Sequence, residues 1–194
     1  MRERIEVLVL EHQRMIEVIR EQLSEKIETA ADICANALRR GKKLLFCGNG
    51  GSAADSQHLT AEFVGHFQIQ RPPLPVIALT TNTSTLTAIA NDDGYDVVFS
   101  RQVEALGQPG DVLIGLSTSG NSKNVIMAVE KADELGLKTI ALTGYDGGQL
   151  AKRALLCLNV PVSCTARVQE GHILIGHILC ALLDDIKPEQ VFKV

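Results

Sequence analysis

The chain has no tryptophan, and aromatic residues make up only 4% of its 194 positions. Proteins that grip single-stranded nucleic acid stack bases on such rings, so this class is a poor fit. Positive charge is not in excess either. Nineteen Lys and Arg face 23 Asp and Glu, for a net charge of −4, the wrong sign for a phosphate-backbone footprint. No apolar run approaches the roughly 18 residues of a membrane span, and the first residues mix charged with apolar positions and lack a signal-peptide pattern. There is no CxxC. The five cysteines, at 34, 47, 157, 164 and 180, are odd in number, scattered, and mostly inside apolar runs, which reads as buried reduced thiols. The expectation is a cytoplasmic protein with no nucleic-acid partner and no membrane partner.

A hydrophobic fraction of 45% and a charged fraction of 22% are those of a soluble globular domain, and the length suits one sheet-and-helix core. Residues 1–40 have helical periodicity, with Ile5, Leu8, Val9, His12, Met15, Ile16 and Ile19 on one spacing. A second stretch, 25–40, ends at Gly41, with Ser24 as its expected N-cap. Residues 1–41 therefore read as a helical hairpin that covers the sheet or packs against another subunit. From residue 42 the rhythm changes to strand, turn, helix, and 42–194 read as one unit with 1–41. Strands are expected at 43–47, 75–79, 111–116, 138–143 and 156–160. Helices are expected at 52–66, 83–90, 121–135 and 165–184, with shorter ones near 97–105 and 147–152. Such alternation implies an α/β fold, a doubly wound and mainly parallel five-stranded sheet with ligands at the carboxyl ends of its strands.

Two turns stand out. Leu44-Leu45-Phe46-Cys47 breaks into Gly48-Asn49-Gly50-Gly51-Ser52, and Val112–Leu116 breaks into Ser117-Thr118-Ser119-Gly120-Asn121-Ser122. A buried strand that opens through small residues into a helix presents unpaired backbone N–H groups at the positive end of the helix dipole, where anions bind. Four hydroxyls, of Ser117, Thr118, Ser119 and Ser122, suit phosphate oxygens. Gly48-x-Gly50-x-x-Ala53 matches a loose dinucleotide fingerprint. However, the next strand ends in Ala78-Leu79-Thr80-Thr81 without the ribose-binding acid, and no Gly-Lys-Ser/Thr follows the glycines. A nucleotide enzyme is therefore the poorer reading.

The helix after the first turn carries His58 and Glu62, four residues apart on one face. Such a pair is a solvated surface pair, a shared metal site, or a site in which the carboxylate acts as base. The last helix carries Arg167, Gln169, Glu170, His172 and His177 in an apolar run. Glu170 and His177 align best by spacing, while Gln169 and His177 are about 80° apart around an ideal helix. Geometry does not choose between Gln169 and Glu170.

Together these residues carry a resemblance. The stretch 47–55, Gln57-His58, Glu62, Asn91-Asp92, residues 110–113, residues 117–122 and Ala166-Arg167-Val168-Gln169-Glu170 are similar to the phosphoheptose isomerases of the sugar isomerase (SIS) family, over nearly the whole chain. The resemblance implies a homotetramer with active sites between subunits. Ser117, Thr118, Ser119 and Ser122 would hold the substrate phosphate, while Asn49, Gly50, Gly51, Ser52, Asn91 and Asp92 would line the sugar site. Glu62 and His177 match the proton-transfer residues, and His58, Glu62, Gln169 and His177 the positions at which family members bind zinc. This prefers Gln169 over Glu170. The implied reaction is aldose–ketose isomerisation of sedoheptulose 7-phosphate to D-glycero-D-manno-heptose 7-phosphate, the first step of ADP-heptose biosynthesis toward lipopolysaccharide heptose. The chain has Gly65-His66-Phe67 where the family often has Gly-Arg-Tyr/Phe, and Thr81-Asn82-Thr83 where many members have Thr-Asp-Thr. Residues 86–92 and 142–148 also resemble a non-catalytic SIS tetramer that binds the bacterial replication initiator. That relative lacks the complete set of His58, Glu62, Gln169 and His177 present here.

Overall fold

The computed structural model describes residues 1–184 and 186. In chain order, the elements are α1 (Arg2–Gln22), α2 (Ser24–Arg39), β1 (Leu44–Gly48), α3 (Gly51–Val64), β2 (Val76–Ala78), α4 (Thr83–Asp92), α5 (Ser100–Leu106), β3 (Val112–Ser117), α6 (Lys123–Glu134), β4 (Lys138–Gly144), β5 (Leu156–Val160) and α7 (Thr165–Asp184). Short 3₁₀ turns occupy Tyr95–Val97 and Leu150–Lys152. The five strands form one sheet in the order β2-β1-β3-β4-β5, and every pairing is parallel. The expected α/β architecture is present, with the sheet wholly rather than mainly parallel. β2 is short because Pro72, Pro73 and Pro75 lead into it, and proline has no N–H to give to a ladder.

Both faces of the sheet are covered. Leu44, Phe46, Ile114, Leu116 and Leu142 face a core built with α1, α2, α3 and α7. Leu45, Cys47, Leu113 and Ala141 face a second core built with α5 and α6. Burial on both sides explains why β1 and β3 read as continuous apolar runs, since a half-exposed strand would alternate. The strand order reverses between β1 and β3. The crevice at a topological switch point lies at the carboxyl ends of these two strands, where the two small-residue turns stand.

The N-terminal region departs from expectation. Only Leu23, in a right-handed helical conformation (φ −117°, ψ −10°), separates α1 from α2. Its N–H donates to the Ile19 carbonyl, and its carbonyl accepts from Ile27 N–H. One such residue cannot reverse the chain, so the expected hairpin is corrected to a bent helical arm. Ser24 is not an N-cap either. It lies inside the first turn of α2, and its hydroxyl donates to the Arg20 carbonyl at 2.6 Å. Residues 1–10 are exposed, including Ile5, Val7, Leu8, Val9 and Leu10. Among the described residues, no helix is long and apolar enough to cross a membrane.

Candidate functional site

The first turn is shaped by close approach. Gly50, at φ +55°, is the residue before α3, a conformation that side chains other than glycine adopt at a cost. A Cβ at Gly51 would stand 2.4 Å from Nε2 of Gln169, so the amide from α7 lies directly over the start of α3. Ser52 is buried in the turn that follows. Asn49 is fixed by three bonds. It donates to Asn124 Oδ1 at 2.8 Å, accepts from Asn124 Nδ2 at 2.9 Å, and accepts from the Tyr95 hydroxyl at 3.1 Å. Asn124 is itself buried in the first turn of α6, so this reciprocal amide pair joins the two turns.

The second turn holds its hydroxyls together. The buried Ser117 Oγ is 2.8 Å from Ser122 Oγ and 3.5 Å from Ser119 Oγ. Asn121 N–H donates to Ser119 Oγ at 3.1 Å. Thr118 is half-buried and Ser119 exposed. Ser122 occupies the N-cap position of α6 and gives no side-chain cap to the helix, though its carbonyl accepts from the N–H groups of Val125 at 3.1 Å and Ile126 at 3.0 Å. The loop after β4 supports this turn from behind. Leu150 N–H donates to the Gly120 carbonyl at 3.0 Å, and Gln149 N–H to Asn121 Oδ1 at 3.1 Å. Gly120 sits at φ +65°, and a Cβ there would meet the Gly147 carbonyl oxygen at 2.1 Å.

The third group lies where α3 and α7 pack. A Cβ on Gly176 would come within 2.5 Å of Leu59 Cδ2. This close crossing sets His58 and His177 side by side, with Nε2 atoms 2.9 Å apart and rings edge to face at 5.1 Å. Glu62 Oε1 is 3.5 Å from His58 Nε2. Phe67 stacks on His177, with centroids 5.3 Å apart and planes at 24°. One turn earlier, Asp55 Oδ2 is shielded from solvent without a partner. Burial pushes this carboxyl above its usual range, partly opposed by His58.

The structure thus brings His58, Glu62 and His177 into one cluster. Gln169 stays apart, about 12 Å of helix axis from His177, with its amide over Gly51. Glu170 turns the other way, to His12 at 2.6 Å and Arg167 at 2.6 Å. Asn91 and Asp92 are exposed at the end of α4 and bond to each other at 2.8 Å; among the described residues no hydrogen bond joins them to the other expected site residues. Asn82 accepts from Thr85 N–H at 3.0 Å as the N-cap of α4, a task that aspartate and asparagine perform alike.

Among the described residues, no three His, Cys, Asp or Glu groups already stand in a metal-holding arrangement. The donor chemistry nevertheless suits zinc, because two imidazoles and one carboxylate are a catalytic zinc set. Ligands at about 2.0–2.1 Å around a tetrahedral ion are themselves about 3.4 Å apart, and the 2.9 and 3.5 Å separations bracket that edge. Without a metal, the two facing Nε2 atoms share one proton, one ring donating and the other accepting.

Several contributors were not evident from the sequence. Asn124 and Tyr95 reach Asn49 across the fold, and no local pattern marks them. Phe67 carries a signal in retrospect, as one of few aromatics and sitting just after the helix that bears Glu62.

Residues 10–144 match the family described as SIS domain. The chain is 55% identical to a phosphoheptose isomerase of Nitratiruptor sp., covering 95% of this chain and 99% of the relative. It is 56% identical to a phosphoheptose isomerase of Geotalea daltonii, covering 94% and 95%. Among solved structures, the phosphoheptose isomerase of Neisseria gonorrhoeae superposes with a TM-score of 0.90 at 48% identity, over 94% of this chain and 98% of that one. The enzyme of Francisella tularensis gives 0.91 at 39%, over 94% and 97%.

Proposed function

The chain belongs to the phosphoheptose isomerases of the SIS-domain family, and from that membership we propose that it interconverts sedoheptulose 7-phosphate and D-glycero-D-manno-heptose 7-phosphate, the first step of ADP-heptose biosynthesis. The coarser statement, an isomerase acting on sugar phosphates, follows from membership alone. The observation that favours the finer reading is the cluster of His58, Glu62 and His177 on helices flanking the hydroxyl-lined turn.

In this reading, Ser117, Thr118, Ser119 and Ser122 bind the phosphate with the first amides of α6, and Asn49, Gly50, Gly51, Ser52 and Gln169 line the sugar. Asn91 and Asp92 complete the sugar site. Glu62 takes the proton from C1 of the ketose, giving an enediol, and His177 returns a proton to C2 as hydrogen moves between the two oxygens. An imidazole suits both directions because it can accept a proton at one ring nitrogen and donate one from it. Holding the far end of the sugar by its phosphate makes the proton transfers effectively intramolecular. The residues that would hold zinc are His58, Glu62 and His177, Gln169 of the same chain standing too far along α7 to share that ion; when bound there, zinc supplies Lewis-acid polarisation of the carbonyl oxygen.

A homotetramer with intersubunit active sites accompanies the proposal. Supporting it are the exposed Ile5, Leu8 and Leu10 of α1 and a groove of about 500 Å³ lined by Ile16, Ile27, Leu174, Ile178 and Leu182. Apolar surface of that extent on a helical arm marks an interface.

The test is NMR of the purified protein with sedoheptulose 7-phosphate in D₂O, with and without zinc or chelator. Heptose 7-phosphate signals with deuterium at C2 are expected, and Glu62→Gln and His177→Ala should abolish them while the assembly persists. No conversion under any metal condition would overturn the reading in favour of a phosphosugar-binding or initiator-binding protein.

A further inference from the structure

After α3 the chain runs irregularly to β2, and one buried ion pair fixes this segment. Arg71 and Asp184 have side chains only 3% and 1% exposed, with Arg71 Nε donating to Asp184 Oδ1 at 2.7 Å. Asp184, in the last turn of α7, also accepts from the backbone N–H groups of Gln68 at 2.7 Å and Ile69 at 3.2 Å. The Arg71 guanidinium donates onward to the carbonyls of Phe63 at 2.9 Å, Pro72 at 3.1 Å and Glu62 at 3.3 Å. Two of these are end-of-helix carbonyls of α3, which lack helical partners. The pair therefore ties the end of α3 to the end of α7 through the intervening loop.

Both proposed proton-transfer residues lie on this tie. Glu62 is held through its own carbonyl. His177 lies two turns before Asp184 on α7, and the ring stacked on it, Phe67, immediately precedes the Gln68 amide that Asp184 holds. We propose that Phe67, seated by the Arg71–Asp184 pair, is a positioning residue for His177. Its ring blocks one face of the imidazole and keeps Nε2 turned toward His58 and Glu62. The inference rests on the reading of His177 as a proton-transfer residue. The geometry also accounts for an ion pair in this place. A buried pair is weak evidence of added stability, but its six donor–acceptor contacts fix one loop conformation.

The experiment compares Phe67→Leu, Phe67→Tyr and Asp184→Asn with the parent protein, with urea midpoint and assembly size as controls. Two readouts are taken: kcat and KM on sedoheptulose 7-phosphate, and the ring-proton resonances of His177 in protein labelled with ¹³C-histidine. Misplacing a reacting group by about 1 Å costs on the order of 100-fold in rate. Phe67→Leu is therefore expected to lower kcat by about 10- to 100-fold with KM within about twofold, and Phe67→Tyr to restore kcat. The His177 resonances are expected to lose their ring-current shift in Phe67→Leu and to move in the same direction in Asp184→Asn. The proposal is overturned if Phe67→Leu keeps its kcat, if its loss falls on KM, if Phe67→Tyr fails to rescue, or if the His177 resonances stay in place. An inactive parent protein would instead defeat the isomerase reading, and the resonances alone would then decide whether Phe67 orients His177.

Discussion

Lowering the pH should weaken the fold through one residue outside the proposed chemistry, His172. It is fully buried in α7, its Nε2–H donates to the Thr143 carbonyl at 2.9 Å, and its Nδ1 has no partner. Protonation would place a second N–H in a dry site without an acceptor. Burial accordingly pushes the imidazole from its usual 6.5 down to about 4, the Thr143 carbonyl opposing only in part. Between those values the unfolded chain takes up a proton that the folded one refuses, so stability falls as pH drops through 6.5 toward 4. At about 1.4 kcal/mol per pH unit of displacement, the full penalty is about 3 kcal/mol per chain, of which about 2 kcal/mol is incurred by pH 5. Urea unfolding at pH 7.5 and pH 5, at one protein concentration, measures it against His172→Gln, whose amide can still donate to Thr143 and does not titrate. The parent protein should lose about 2 kcal/mol more than the variant. Asp55 works in the opposite direction, since its raised carboxyl favours the folded state at low pH; it is present in both proteins and cancels. Equal losses in the two would refute the assignment.

Other consequences are equally direct. Gly120→Ala places a Cβ 2.1 Å from the Gly147 carbonyl oxygen at a positive φ, a backbone cost of about 1–2 kcal/mol before any clash. The turn must move, and calorimetry should show weaker binding of inorganic phosphate. Ser119→Ala combined with Ser122→Ala removes two hydroxyls from the turn and should raise KM with little change in kcat; an unchanged KM would relocate the phosphate. Both variants should leave the His58–His177 contact intact, because it depends on the crossing of α3 with α7.

The strands were legible because each is a short apolar run bounded by glycine, proline or small polar residues, and burial on both faces produces such runs. Helix ends were legible where glycine takes a left-handed conformation, as Gly136 does after α6 at φ +76°. The direction of the arm was not. Periodicity marks where a helix stops, but the conformation of Leu23 decides whether the next helix turns back. Spacing along α7 left Gln169 and Glu170 open, and what separates them is tertiary. Glu170 answers His12 on α1 and Arg167 on α7, while Gln169 meets the bare backbone of Gly51. His58 and Glu62 were legible as a pair on one helix, but the approach of His177 depends on Gly176 admitting Leu59, and a sequence read element by element does not contain that contact. Arg71 and Asp184 were invisible for the same reason, standing 113 positions apart.

The reciprocal bonds between Asn49 and Asn124, with the Tyr95 hydroxyl as a third contact, have a thermodynamic corollary. They close the two turns on each other before any ligand arrives, so an incoming anion orders little chain and the conformational entropy of assembling the site is spent during folding. Binding at such a preorganised surface should be driven by enthalpy with a small change in heat capacity, without the large negative value that accompanies a loop folding around its guest.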